Sequence, residues 1–108
     1  MKIIAVLAFV VAGASSAAAA EIHGTLSDGG KPVPKGVALR LDCGETSAQA
    51  TTDNFGSYSL KIGATGECKL TVDYQGASGS LGVSVYDRPS RYDLAVSRDG
   101  GKLVLSRK

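Results

Sequence analysis

The segment TTDNFGSYSL, residues 51 to 60, gathers the side chains of this chain that could most readily do chemistry. A calcium loop of the EF-hand type needs acidic or amide side chains at alternating positions and a glutamate at its twelfth position. Asp53 and Asn54 are instead adjacent, and the twelfth position counted from Asp53 is Ala64. The segment therefore does not predict a metal site.

Catalysis is the second chemistry that these residues could support. A nucleophile or an acid–base pair needs a base that a third group holds in place. The only histidine is His23, near the start of the first predicted strand and on its outward side. The sequence contains no G-x-S-x-G segment and no evident carboxylate pair. We therefore predict a protein that is not an enzyme, has no catalytic residues and needs no cofactor.

A tight turn accounts for most residues of the segment. Type I turns favour Asp at the first position and Gly at the fourth, and the Asp carboxylate can accept backbone N–H groups two residues on. Asp53 and Gly56 have this spacing and Tyr58 begins an alternating strand, so we interpret all three as fold markers. The turn does not require Phe55. We expect its ring to fold back over the end of the domain; the alternative is that it stands out as a contact.

Residues 1–20 have the features of a secretory signal peptide. Lys2 precedes an apolar run that fades into Ala and Ser and is too short for a typical transmembrane helix. The small-x-small pattern places cleavage after Ala20. We expect an exported protein, periplasmic or extracellular, with no membrane anchor after cleavage. Residues 21–108 then form a single domain.

Residues 21–108 alternate apolar and polar side chains with the period of two that is typical of β-strands. Thirteen of the 14 glycines of the chain lie in this range, which disfavours helices. One apolar and one polar side per strand indicates antiparallel sheets packed on a core. We predict an all-β sandwich of seven to eight antiparallel strands. Its strands are Glu21–Leu26 and the segments VALRLDC, SYSLKI, CKLTVDY, LGVSV, YDLAV and KLVLS.

Two cysteines, Cys43 and Cys68, lie on the apolar sides of their predicted strands. An even number of cysteines in an oxidising compartment favours a disulfide, so we predict that these two are bonded. Two buried free thiols are the alternative. A zinc site would need more ligands than two cysteines and one histidine readily supply.

The segment YDRPSRYD, residues 86 to 93, is the best candidate binding surface by composition. The charge of the chain is nearly balanced, with 12 Lys and Arg against 10 Asp and Glu in no basic stripe, so nucleic acid is a poor partner. Tyrosine and arginine are enriched in binding hot spots. Tyr86, Arg88 and Arg91, together with Phe55, are therefore possible contact residues. The alternative, which we favour, is a hairpin loop with Tyr92 in the core.

Four motifs occur together in residues 21–108: GTLSD, KPVPKGVALRL, TTDNFGSYSL and KLTVDYQG. They resemble the carboxypeptidase regulatory-like domain family, whose fold is similar to transthyretin and to the B repeats of collagen adhesins. The resemblance covers about residues 21 to 97. It implies a prealbumin-like, Ig-like sandwich without catalytic residues, as found in accessory and binding modules of secreted proteins. Hydroxyisourate hydrolases share the transthyretin fold but rely on several histidines, and this chain has one.

We therefore expect a non-catalytic exported module that binds or supports a partner, either a protein or a glycan. A carbohydrate-binding module is the alternative; the chain has no Trp, which leaves Tyr86 and Phe55 as its plausible stacking rings. A small hydrolase of transthyretin-like fold is disfavoured. The expected assembly is a monomer or an edge-to-edge dimer.

Overall fold

The computed structural model describes residues 20–108, which form a two-sheet β-sandwich. The predicted signal peptide, apart from its last residue, lies outside the described residues. Within the described range no helix is long and apolar enough to cross a membrane. The range contains ten strands: β1 Glu21–Asp28, β2 Lys31–Pro32, β3 Ala38–Cys43, β4 Thr46–Thr51, β5 Ser57–Lys61, β6 Gly66–Tyr74, β7 Ala77–Val85, β8 Pro89–Arg91, β9 Leu94–Asp99 and β10 Lys102–Arg107.

Strand β1 is the centre of the larger, six-stranded sheet. Its first half pairs antiparallel with β5, from Glu21 opposite Lys61 to Thr25 opposite Ser57, and parallel with β8. Its second half pairs antiparallel with β2 and parallel with β9, and β9 pairs antiparallel with β10. One long strand thus ties five shorter ones into a single layer.

The second sheet has four antiparallel strands in the order β4-β3-β6-β7. The register places Leu39 opposite Val72 and Leu41 opposite Leu70, so that apolar side chains of neighbouring strands share the inner face. Both pairs are fully buried. Burying such a side chain contributes about 1.5–3 kcal/mol, so these rows hold the layer against the larger sheet.

The core lies between the sheets and consists mostly of the alternating apolar positions predicted from the sequence, although Leu81 is only partly buried and Val33, in a predicted connector, is fully buried. The six-stranded sheet contributes Ile22, Leu26, Leu60 and Leu94, all fully buried. The all-β sandwich is confirmed.

The disulfide between Cys43 and Cys68 is also confirmed. It bridges the adjacent antiparallel strands β3 and β6, with the Cα atoms 4.5 Å apart and both residues buried. Residues directly opposite in a non-hydrogen-bonded antiparallel pair have this Cα separation, so the bond fits the sheet without displacing it. The bond closes a loop with a sequence separation of 25.

Three strands were not predicted: β4 and the short strands β2 and β8. Strand β4, TSAQAT, has only alanines at its inward positions, so its alternation carries little hydrophobic contrast. Strands β2 and β8 each contain a proline and pair over two or three residues. Proline is confined to edges and strand ends because it has no N–H to donate, which is why both segments resembled loops.

Candidate binding surface

Tyr86 and Arg88 are exposed together where the chain leaves β7. Val85 ends the strand in the core, and the next side chain, Tyr86, is 48% exposed. The Cζ atom of Arg88 lies 5.3 Å from the centroid of the Tyr86 ring. A guanidinium at this distance is attracted to the negative face of the ring, by about 0.5–1 kcal/mol at an exposed site. The pair is therefore a partly ordered aromatic and cationic patch.

A cleft of about 380 Å³ adjoins this pair at the same end of the sandwich. Two of its lining side chains, Glu67 and Asp87, are carboxylates, and Glu67 accepts a 2.9 Å hydrogen bond from the Ser84 hydroxyl. The cleft thus presents acceptors beside an aromatic ring, a combination that suits a polar partner group. Its lining residues are Thr65, Gly66, Glu67, Ser84, Val85, Tyr86 and Asp87.

Arg91, predicted to share a surface with Arg88, is held by a different partner. Its Nε donates to Oδ2 of Asp93 at 2.8 Å. The same hydrogen bond lowers the pKa of the Asp93 carboxyl, to which Thr25 also donates its N–H and hydroxyl. Arg91 is therefore engaged by Asp93, and Asp93 in turn fastens the segment before β9 to β1 through Thr25.

Tyr92, between these two residues, is buried as predicted, but YDRPSRYD is not a hairpin loop, because it contains β8 and leads from the four-stranded sheet to the six-stranded one. Its ring lies under the Arg107 guanidinium, with Cζ 4.1 Å from the centroid. Its carbonyl accepts a 2.6 Å hydrogen bond from the hydroxyl of Tyr58, which is also buried. Burial is the main cause that raises the pKa of the Tyr58 phenol. Tyr58 is therefore a fold marker through a buried hydrogen bond as well as through its apolar ring.

The Asp53–Gly56 turn has the geometry that the sequence predicts. Oδ1 of Asp53 accepts the N–H groups of Phe55 at 2.8 Å and Ser57 at 2.9 Å, and the Gly56 N–H donates to the Asp53 carbonyl at 3.1 Å. Gly56 has φ of +73° and packs so closely that a Cβ atom there would lie 2.8 Å from the Leu26 carbonyl oxygen. This turn is a structural device.

The expectation that Phe55 folds back over the sandwich is wrong, since the residue is 75% exposed. The backbone at Gly56 already packs against that end of the domain, near Pro32 and Val33. The ring at the tip of the turn is left in solvent. Phe55 is the most exposed large apolar side chain of the described residues.

Phe55 and Tyr86 do not form one surface. Ser57, just after Phe55, pairs with Thr25, whereas Pro89, just after Arg88, pairs with Glu21. Glu21 and Thr25 are separated along β1 by roughly 13 Å at about 3.3 Å per residue. The four predicted contact residues thus divide into a Tyr86–Arg88 patch at one end, Phe55 at the other, and Arg91 in an ion pair.

His23 lies on the outer side of β1, half-buried, opposite Ser59 on β5 and Arg91 on β8. The Ser59 hydroxyl donates to the Glu21 carboxylate at 2.6 Å, so it is oriented towards an acid and not towards the histidine. Within residues 20–108 no three His, Cys, Asp or Glu side chains are grouped so that they could hold a metal ion.

A second groove, of about 490 Å³, lies on the outer face of the four-stranded sheet, beside β4. The small residue Ala38 forms its floor between Arg40, Gln49, Thr51 and Asp73. The sequence contains a signal for it, a small side chain surrounded by longer polar ones, but only the register of β3 with β4 brings those side chains together.

No protein-family model matches this chain, and no curated protein matches it. The resemblance to the carboxypeptidase regulatory-like domain family therefore stays a prediction.

Sequence reasoning missed the acidic side of the cleft, Glu67 and Asp87, and the role of Asp93. Glu67 and Asp87 are 20 positions apart in sequence and meet only because β6 and β7 pair with Gly66 opposite Val85. The Arg91 and Asp93 pair has an i, i+2 spacing that would have suggested an ion pair on one side of a strand.

Proposed function

We propose that this protein is a non-catalytic exported module that binds a protein partner through the Tyr86–Arg88 patch and its cleft. The exposed stacking of Arg88 on Tyr86 carries the proposal. Tyrosine and arginine supply binding energy most often when they are held in place beside a pocket, because less side-chain freedom is then lost on binding.

Export is part of the proposal and is supported by the disulfide. The Cys43–Cys68 bond is buried and bridges two central strands, which is typical of small proteins that function in oxidising compartments. The leader-like composition of residues 1–20 agrees with it. Membership of the carboxypeptidase regulatory-like domain family would fit this role and is proposed with it.

A protein partner is favoured over a glycan because of how the Tyr86 ring is placed. Sugars stack on exposed flat aromatic faces, and the Arg88 guanidinium already lies over one face of this ring. Carbohydrate binding is the second candidate, and the exposed Phe55 ring at the opposite end is the observation that favours it.

Capture from the exported protein fraction of the organism tests the proposal. Tagged wild type, the Tyr86→Ala/Arg88→Ala variant and two controls, Phe55→Ala and Val104→Ala, are compared after mild cross-linking. Phe55 and Val104 are exposed apolar residues away from the patch. We expect a partner that the wild type and both controls capture and the patch variant loses. A protein partner lost only with Phe55→Ala would move the binding surface to Phe55 and overturn the patch, and a glycan array signal that depends on Phe55 would favour carbohydrate binding instead.

A further inference from the structure

Strand β4 is an edge of the four-stranded sheet: among residues 20–108 only β3 pairs with it. The side of an edge strand that faces no neighbour presents unpaired N–H and C=O groups to solvent. Such a side can pair with another extended chain, which is how many domains recruit peptides.

The disulfide reveals which backbone groups of β4 are free. Pairs of residues on antiparallel strands alternate between those that exchange backbone hydrogen bonds and those that do not, with Cα separations near 5.5 and 4.5 Å. The Cys43–Cys68 separation of 4.5 Å makes this β3–β6 pair one that does not. The backbone groups of Cys43 therefore point the other way, towards β4.

The same alternation then runs along β4. On β3 the backbone N–H and C=O groups of Cys43, and of every second residue before it, point towards β4. Their partners Thr46, Ala48 and Ala50 on β4 point back towards β3, and the β4 residues between these partners point their backbone groups outward. The turn at the other end agrees, because the Thr52 N–H donates to the Val37 carbonyl at 3.0 Å. Ser47, Gln49 and Thr51 therefore direct their N–H and C=O groups away from the sheet.

The two margins of the sandwich differ in how closely the sheets approach: β4 lies near β5 of the other sheet, and the opposite margin is packed more tightly. There β7 and β10, the last strands of the two sheets, approach so closely that a Cβ at Gly79 would lie 2.1 Å from the Leu103 carbonyl oxygen. Edge strands that must stay unpaired usually carry lysine, proline or a bulge. Strand β4, TSAQAT, has neither a charged residue nor a proline over its six residues.

Charge at the two ends of β4 indicates what could pair with it. Glu45 precedes the strand and Asp53 follows it by two residues, and both are exposed. A second copy aligned to use all three free positions would place Gln49 opposite Gln49 and, at the ends, Glu45 opposite Asp53. Like charges directly opposite each other are destabilising, so a different, basic chain fits better than a second copy.

We propose that β4 accepts an extended segment of a partner polypeptide as an added strand. This segment has uncharged side chains along its length and a basic residue at each end. The inference rests on the proposed binding role but uses a separate surface from the Tyr86–Arg88 patch. Backbone pairing with Ser47, Gln49 and Thr51 would supply the contact. The inward side chains of the segment would pack beside Ala48 and Ala50, and its outward ones would lie beside the 490 Å³ groove.

Amide hydrogen exchange on the folded chain tests this with a defined probe, the synthetic peptide KVTVTVTVK, and the control peptide EVTVTVTVE. In the free protein we expect rapid exchange at Ser47, Gln49 and Thr51 and slow exchange at Ala48 and Ala50. At a saturating concentration, the lysine peptide should slow exchange at the amides of Ser47, Gln49 and Thr51 by about tenfold, whereas the glutamate peptide should not slow it. Slow exchange at Gln49 in the free monomer, or equal protection by both peptides, would overturn the inference, as would a dimer protected at β4 without peptide.

A matched pair of variants separates backbone pairing from side-chain contact. Gln49→Ala keeps the outward N–H, and Gln49→Pro removes it without deleting a bond to β3. We expect the lysine peptide to bind Gln49→Ala as tightly as it binds wild type. Gln49→Pro should keep the fold but no longer bind the peptide. Equal binding to both would overturn strand addition, whereas the proposed function is judged separately, by capture with the Tyr86→Ala/Arg88→Ala variant.

Discussion

The hydroxyl of Tyr58 donates a 2.6 Å hydrogen bond to the main-chain carbonyl of Tyr92, with both residues buried. This bond joins β5 to the segment that leads from β8 into β9. It fixes the chain just after the Tyr86–Arg88 patch, and so links the core of the sandwich to the proposed binding surface.

Tyr58→Phe should destabilise the protein by about 1–3 kcal/mol, because it leaves the Tyr92 carbonyl buried without its partner. For a domain of this size that lowers Tm by roughly 4–8 °C for each kcal/mol. Thermal unfolding followed by circular dichroism measures the loss. Tyr86→Phe is the matched control, since its exposed hydroxyl makes no buried bond, and an equal Tm for both variants would contradict this assignment.

The buried phenol of Tyr58 should also make the protein less stable at alkaline pH. Burial raises the pKa of Tyr58 in the folded state, so the folded protein holds this proton more tightly than the unfolded chain does. The resulting stability is complete below the unfolded pKa of about 10 and is lost as pH rises above it. Urea unfolding at pH 8 and pH 11 should therefore show a larger fall for wild type than for Tyr58→Phe. A larger fall for the variant would reverse the predicted sign.

Asp93 should give stability the opposite pH dependence, with a loss at acidic pH. The Arg91 hydrogen bond holds the pKa of the Asp93 carboxyl below its usual range, so its contribution is present above the unfolded pKa of about 3.9 and is lost as pH falls through the lowered folded value. Wild type should lose more stability than Asp93→Asn between pH 6 and pH 2. Asp99→Asn, an exposed carboxylate on β9, is the control and should behave as wild type. A parallel loss in wild type and Asp93→Asn would show that the ion pair contributes nothing.

The disulfide should contribute about 3 kcal/mol, because a closed loop of this length restricts the unfolded chain. Cys43→Ala/Cys68→Ala should lower the free energy of unfolding by that amount, and reduced wild type should match the variant. Urea unfolding with and without reductant measures both. A change below about 1 kcal/mol would mean that the sheet pairing alone holds β3 beside β6.

Gly56→Ala should destabilise the protein by about 1–3 kcal/mol, since its positive φ is strained for alanine and a Cβ would meet the Leu26 carbonyl at 2.8 Å. Gly82→Ala is the matched control, because Gly82 has open space around it and no positive φ. Chemical unfolding compares the two. Equal unfolding midpoints for the two variants would show that the Asp53–Gly56 turn does not stabilise its end of the domain.

The strands with large alternating side chains could be predicted from sequence, because burial of residues such as Leu41 and Leu70 depends only on the period of two and on a core to face. The Asp53–Gly56 turn could be predicted because its chemistry is local. Strand β4 could not, since its alanines give little contrast, and its status as an edge depends on the order of strands in the sheet.

The contact residues were predictable by type but not by arrangement. Tyr86 and Arg88 lie two positions apart and remain together, whereas Arg91 is engaged by Asp93, a contact set by the β8 and β9 segments beside β1. The exposure of Phe55 depends on how closely the Gly56 backbone approaches Leu26, which no local pattern reveals.

The affinity of the captured partner for single variants tests the central claim most directly. Tyr86→Ala and Arg88→Ala should each raise Kd by about tenfold, equivalent to about 1.4 kcal/mol, and the double variant should lose less than the sum because the two side chains support each other. Val104→Ala should leave Kd unchanged. Kd values for Tyr86→Ala and Arg88→Ala within about twofold of wild type would contradict the account, since truncating a residue that contributes to binding should weaken the affinity by more than this.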